Sequence, residues 1–246
     1  MVGVALLATL LGLLLGPVAD ERGVEEAVGP LGVVDVGLDP GHSDFDVGAV
    51  GGGLREVDLT LTVASRVKEL LAAQGLTVAM SRSDSRPLTD FSNPDPTEQI
   101  RIEQEARIAA VGKARIYVSI HFNGYGDPRV RGTETYYNGD NCGEDSRRLA
   151  RSIQENVVST VRASGYAVPD RGVKEDLAAG KPYGHFFSLR GGLPSVLVES
   201  MFLTNPEEAA LLHDDATLET IAEGIASGIE AYLSPSRPQA AGTMDQ

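Results

Sequence analysis

Between residues 31 and 233, short runs of β-branched and aliphatic residues alternate with longer segments whose apolar positions recur every three or four places. Runs of the first kind suit strands buried on both faces of a sheet, and segments of the second kind suit helices that cover it. Residues 33–38 predict the first strand. The helix predicted over 54–74 carries Leu59, Val63, Val67, Leu70 and Leu71 on one stripe and stops at Gly75. A strand over 76–80, a polar connection, a helix over 98–111 and strands over 115–120 and 132–137 follow. Leu149, Ile153, Val157 and Val161 stand four apart and predict a helix over 144–163. Residues 166–192 hold glycines, prolines and the aromatic cluster Tyr183, Phe186 and Phe187, too irregular for regular structure but long enough to wall a cleft. Residues 195–198 return to the core as a strand. Asn205, Pro206 and Glu208 then read as N-cap, N1 and a capping-box N3, and a last helix runs over about 216–232. The alternation predicts a single α/β domain whose mostly parallel, twisted sheet has helices on both faces.

The ends differ from this body. From Met1 to Ala19 there is no charged side chain, and the stretch VALLATLLGLLL is apolar on every face. Residues 1–30 are therefore expected to be an apolar export or anchor segment with its linker, and membrane contact is expected only there. Residues 234–246, rich in Pro, Ala, Gly and polar side chains, are expected to be a flexible tail. The catalytic domain is left as 31–233, with an extracytoplasmic location and a monomeric state expected.

Charge narrows the function. The chain has 246 residues, 21 basic and 35 acidic, for a formal net charge of −14, which excludes a surface that collects phosphates from nucleic acid. It lacks tryptophan, which argues against a platform for stacking bases. Cys142 is the single cysteine, so neither an internal disulfide nor a cysteine-rich zinc module can form, and any metal must sit on histidine and carboxylate.

Four such residues fall at one edge of the predicted sheet. His42 lies in the DPGH stretch just past the first strand, His121 closes the strand RIYVSIH, and Glu199 closes SVLVE. Glu56 opens the helix that returns from the first strand, where the positive helix terminus favours a carboxylate. Open α/β sheets bind ligands outside the carboxyl ends of their strands. Two histidines and one glutamate make a zinc set that leaves a position for water, and a separate carboxylate must then move protons. His42, Glu56 and His121 are read as ligands of one zinc ion. Glu199 is read as general base and acid, because an apolar setting raises a carboxyl pKa.

At these residues the chain resembles the zinc-dependent N-acetylmuramoyl-L-alanine amidases of the type 3 amidase family. The resemblance rests on LDPGH at 38–42, REVDLTL at 55–61, RIAAVGKARIYVSIHFN at 107–123 and SVLVESMFLTNPEEAALL at 195–212, in that order. It implies hydrolysis of the amide between N-acetylmuramic acid and the L-alanine of the peptidoglycan stem, with His42, Glu56 and His121 on zinc and Glu199 as the catalytic carboxylate. Two segments depart from the family pattern, SDFDVGAVGGG after His42 and the stretch from Gly165 to His185. Three further residues invite a role. His185 stands beside the metal edge or in the aromatic wall, Arg190 is free to grip a substrate carboxylate or to form a surface ion pair, and His213, on a helix, reads as a solvated or cap-stabilising residue. Two competing readings are a zinc carboxypeptidase or other peptidase, for which Arg190 would anchor a terminal carboxylate, and a noncatalytic cell-wall-binding regulator.

Overall fold

The computed structural model describes residues 32–234, so the expectations for residues 1–30 and for the tail beyond 234 lie outside the described residues. In chain order the elements are β1 (Val33–Pro40), a small hairpin of β2 (Val50–Gly51) and β3 (Leu54–Arg55), α1 (Glu56–Ala73), β4 (Val78–Met80), α2 (Pro96–Ala110), β5 (Lys113–Asn123), β6 (Thr133–Tyr137), α3 (Gly143–Ala163), β7 (Asp170–Glu175), β8 (Ser195–Phe202), α4 (Pro206–Leu211) and α5 (Asp215–Leu233). Six strands form one sheet in the order β4-β1-β5-β8-β6-β7. The first four run parallel, β6 is antiparallel to β8, and β7 runs parallel to β6. Among the described residues no helix is long and apolar enough to cross a membrane.

Strand periodicity separates the two faces of this sheet. Val36 and Leu38, Ile116, Val118 and Ile120, and Val196 and Val198 share one side, where they join the apolar stripes of α1, α3 and α5 in one core. The residues between them, Asp39, Ser119, His121, Leu197 and Glu199, face the other side. There α2 and a 3-10 turn at Phe187–Leu189 pack, and Tyr136, Leu189 and Leu197 form a second, smaller core. Helices cover both faces as expected, but only one face is apolar throughout; the other is free to carry polar chemistry.

Several boundaries differ from the sequence pattern. Helix α2 begins at Pro96 because Asp95 caps it, accepting from the Thr97 and Glu98 N–H groups. Strands β5 and β8 run on to Asn123 and Phe202, so His121 and Glu199 lie inside strands rather than at their ends. The expected irregular segment contains β7, an edge strand whose DRGVKE sequence has a single apolar side chain and no readable alternation. Asn205 caps α4 as expected. Glu208 closes no capping box, since its carboxylate accepts from the Phe202 and Gly132 N–H groups and the Tyr166 hydroxyl.

Candidate metal centre and cleft

The loop that follows β1 carries His42 in a conformation rarely taken by residues with a side chain, with φ at +67°. Two buried arginines hold it there. Arg107 donates to the Pro40 carbonyl at 2.7 Å and also to that of His42, and Arg82 donates to Pro40 at 2.8 Å and to Gly41 at 2.7 Å. Arg107 is itself paired with buried Asp39 at 3.2 Å and Glu103 at 3.2 Å. Removing one member of such a buried set strands the other charges and typically costs about 3–5 kcal/mol. That connectivity makes a strained loop rigid.

The loop aims His42 at Glu56 and His121. His42 Nε2 lies 3.0 Å from Glu56 Oε1, His121 Nδ1 lies 2.9 Å from the same oxygen, and the two ring nitrogens are 3.1 Å apart. Ligand atoms 2.0–2.2 Å from one tetrahedral ion stand roughly 3.3 Å from each other, so this triangle is close to the size required. Three lone-pair donors brought this near repel one another unless a shared cation or proton lies among them. The donor set fits a zinc ion: two imidazoles, one carboxylate, and a further side open to the cleft.

Neighbouring groups fix the orientation of each donor. Asp46 Oδ2 stands 3.2 Å from His42 Nδ1, which reserves Nε2 for the triangle. Glu56 opens α1, yet its carboxylate accepts from the Ala49 N–H at 2.7 Å and the Phe122 N–H at 3.0 Å rather than from its own helix. A Cβ on Gly41 would stand 2.3 Å from His121 Cε1, and one on Gly48 would stand 2.4 Å from Glu56 Oε2, so glycine is required at both positions for the rings and carboxylate to fit. Burial opposes a charge on His42, but Glu56 and Asp46 outweigh it and hold the imidazole pKa up to about 10. Burial likewise opposes the charge on Glu56, and the two histidines overcome it and pull its carboxyl well below the ordinary range. The centre is therefore built to hold positive charge.

Glu199 stands beside it. It is the register partner of His121 on the neighbouring strand, and its Oε2 is buried without a hydrogen-bond partner among the described residues. Burial pushes its carboxyl well above the ordinary value, and the nearby charges of Glu56 and Glu134 push it further. On its other side Glu134, opposite it on β6, is engaged by Arg171 at 2.8 Å, by Lys174, by Asn123 at 2.8 Å and by the Tyr136 hydroxyl at 3.0 Å. Two carboxylates thus lie side by side in opposite states, one fully partnered and one with an oxygen left over. All four residues singled out from the sequence line one cleft of about 650 Å³.

A model of the N-acetylmuramoyl-L-alanine amidase family matches residues 36–231. The chain belongs to this amidase family. Among relatives of the amidase, the uncharacterized protein YqiI of Bacillus subtilis (strain 168) is 35% identical over 207 residues, covering 84% of this chain and 88% of that protein. The germination-specific N-acetylmuramoyl-L-alanine amidase of the same organism is 31% identical over 213 residues, 83% of this chain and 82% of that protein. The CwlD amidase of Clostridioides difficile, solved in complex with the GerS lipoprotein, matches the amidase fold with a TM-score of 0.69 at 29% identity, over 81% of this chain and 98% of that one.

Other residues of the amidase fall differently from their sequence reading. His185 is outside the metal triangle, with Nδ1 2.7 Å from Asp176 and Nε2 3.1 Å from Asp140. Arg190 donates to the carbonyls of Tyr183 at 2.7 Å and His185 at 2.9 Å and makes no ion pair with a described carboxylate, so it braces its own loop. His213 follows α4 rather than lying on it, and its Nε2 donates to the Gly52 carbonyl at 2.9 Å. Asp46 and Arg82 escape sequence reasoning because charged residues in polar stretches look like a solvated face, and Arg107 and Glu134 because the partners Asp39 and Arg171 lie far along the chain. The usable signal was Asp46, an acid four places after a candidate ligand.

Proposed function

We propose that this chain hydrolyses the amide between the lactyl group of N-acetylmuramic acid and the L-alanine of the peptidoglycan stem, with His42, Glu56 and His121 holding one zinc ion and Glu199 moving the protons. The observation that carries this reading is the triangle of His42 Nε2, Glu56 Oε1 and His121 Nδ1, with sides of 2.9–3.1 Å, set one strand away from an unpartnered carboxylate. A divalent ion bound there supplies a Lewis acid for the carbonyl oxygen and lowers the pKa of water toward neutrality. Glu199, held high in pKa by burial, takes a proton from the attacking water. The water oxygen bonds to the lactyl carbonyl carbon, the C–N bond breaks, and Glu199 returns its proton to the departing alanine nitrogen. The products are a muramyl lactyl carboxylate and a peptide with a new amino terminus.

The substrate lies outside the cytoplasm, and the same reading puts the enzyme there. Arg190, the anchor a peptidase would use for a terminal carboxylate, is occupied by loop carbonyls, which favours the amidase over that competitor. The test is digestion of purified peptidoglycan with zinc supplied, with and without chelator, followed by mass spectrometry. New lactyl carboxyls matched by L-alanine amino termini, lost on chelation, are expected; free amino acids without new muramyl ends, or no cleavage, would overturn the reading.

A further inference from the structure

We propose that Lys181 is the carboxylate reader of the cleft, selecting peptides that carry a free carboxylate within a residue or two of the scissile amide. This deepens the amidase reading and rests on it. The cleft holds three carboxylates, Asp46, Glu56 and Glu199, and among its described lining residues Lys181 is the sole lysine or arginine. In a chain of net charge −14, an anionic peptide is repelled by most of the surface, so a cation inside the cleft marks where its charge is met.

The side chain is available for this. Lys181 is exposed, it forms no ion pair with any described carboxylate, and its ammonium stands 5.9 Å from the centre of the Phe186 ring. Lys181 lines the same cleft as Glu199, and its positive charge makes a small contribution against the upward pull of burial on that carboxyl. A substrate carboxylate met by Lys181 therefore lies in the same cleft as the scissile amide rather than at a distant peptide end.

Its backbone is also fixed in advance. The Gly184 N–H donates to the Lys181 carbonyl at 3.0 Å, closing a turn with Pro182 at its second position. Buried Asp176 accepts from the Phe186 N–H at 2.8 Å and pairs with His185 Nδ1 at 2.7 Å. Tyr183 stacks on Phe187 at 4.5 Å, and the Arg190 guanidinium lies 4.3 Å from the same ring while it holds the Tyr183 and His185 carbonyls. The cation that the sequence offered for this task, Arg190, is consumed in bracing the platform, and Lys181 is the one the platform presents. With the backbone already fixed, only side-chain freedom remains to be lost when the ammonium meets its ligand.

The experiment compares three synthetic muramoyl peptides: one with a free carboxylate on the second residue, one with that carboxylate amidated, and one amidated at the C-terminus instead. Wild-type protein loaded with zinc is expected to favour the first over the second by about tenfold in kcat/KM, mostly through KM, and to treat the first and third alike. Lys181→Met should collapse that preference to about one, and Lys181→Arg should restore most of it. Binding of the uncleaved peptides to Glu199→Gln protein, with and without Lys181→Met, should show the same ratio in Kd. Zinc content and Tm of each variant report folding. The proposal is overturned if wild type cleaves the first two peptides equally, if Lys181→Met keeps the preference, or if the C-terminal amide is what abolishes it. Failure of wild type to cleave any muramoyl peptide overturns the amidase reading itself, and this one with it.

Discussion

His121 on β5 and Glu199 on β8 are partners in parallel register, side by side on the sheet face opposite α1, α3 and α5. Neighbouring strands are about 4.8 Å apart, so the separation of an imidazole that can hold metal and a carboxyl that can move protons is set by backbone hydrogen bonds rather than by a loop. Rigid elements position a site more tightly than loops do. His42 does come from a loop, and the buried arginines supply there the rigidity that the sheet supplies to His121 and Glu199.

Glu199→Gln keeps the shape of the side chain and removes the carboxyl proposed to move protons. Turnover of muramoyl peptide should fall by about 10²–10⁴ while zinc content stays that of wild type. Elemental analysis alongside an initial-rate assay decides this, and a variant of full activity would remove Glu199 from the chemistry.

Zinc content should be one ion per chain in wild type and far below that in His121→Ala or Glu56→Gln, because each removes one corner of the triangle. Dialysis against chelator should abolish hydrolysis and lower Tm, and added zinc should restore both, since a ligand that binds only the folded state stabilises it. A chelated protein with undiminished Tm and rate would rule out a bound metal.

Gly48→Ala separates backbone strain from site geometry. Gly48 has φ at +72° and a Cβ there would stand 2.4 Å from Glu56 Oε2, whereas Gly53, with φ at +83°, has nothing within 4 Å. Alanine at either position should cost about 1–2 kcal/mol of stability from the left-handed backbone. Only Gly48→Ala should also weaken zinc binding, by tenfold or more, as read by chelator competition. Equal zinc affinities in the two variants would show that the Gly48 contact is unimportant.

Acid should reveal the pairing beneath the loop. Burial opposes the charge of Asp39, but Arg107 and the hydroxyls of Ser81 and Ser119 hold its pKa at about 2 against an ordinary 3.8. Because the folded value is depressed, the stabilisation is fully present above about pH 4 and is lost as pH falls through about 2. It amounts to about 2 kcal/mol. The stability gap between wild type and Asp39→Asn, measured by denaturant unfolding, should therefore hold from pH 5 to about pH 4 and narrow from there to pH 2. A gap that stays constant over that range would mean that Asp39 is not held ionised by its partners.

Much of this was legible in the chain itself. The α/β alternation, the apolar stripe of α1 at Leu59, Val63, Val67 and Leu71, and the cap at Asn205 are local patterns, set by the period of a helix or strand and by which side chain can accept from a free N–H. The candidate residues His42, Glu56, His121 and Glu199 were also visible, since each falls where a strand or helix begins or ends in the pattern. Tertiary structure alone decided the rest. Strand β7 has one apolar side chain and exists because β6 offers it hydrogen bonds across the sheet edge. Arg107 looks like a solvated helix residue until Asp39 and His42, more than sixty positions away, are brought against it. Arg190 is the cation the sequence offers for a substrate carboxylate, and only the fold turns it toward its own loop and puts Lys181 at the cleft instead. Periodicity records which face a residue presents, whereas the partner it meets depends on chain segments that periodicity does not connect.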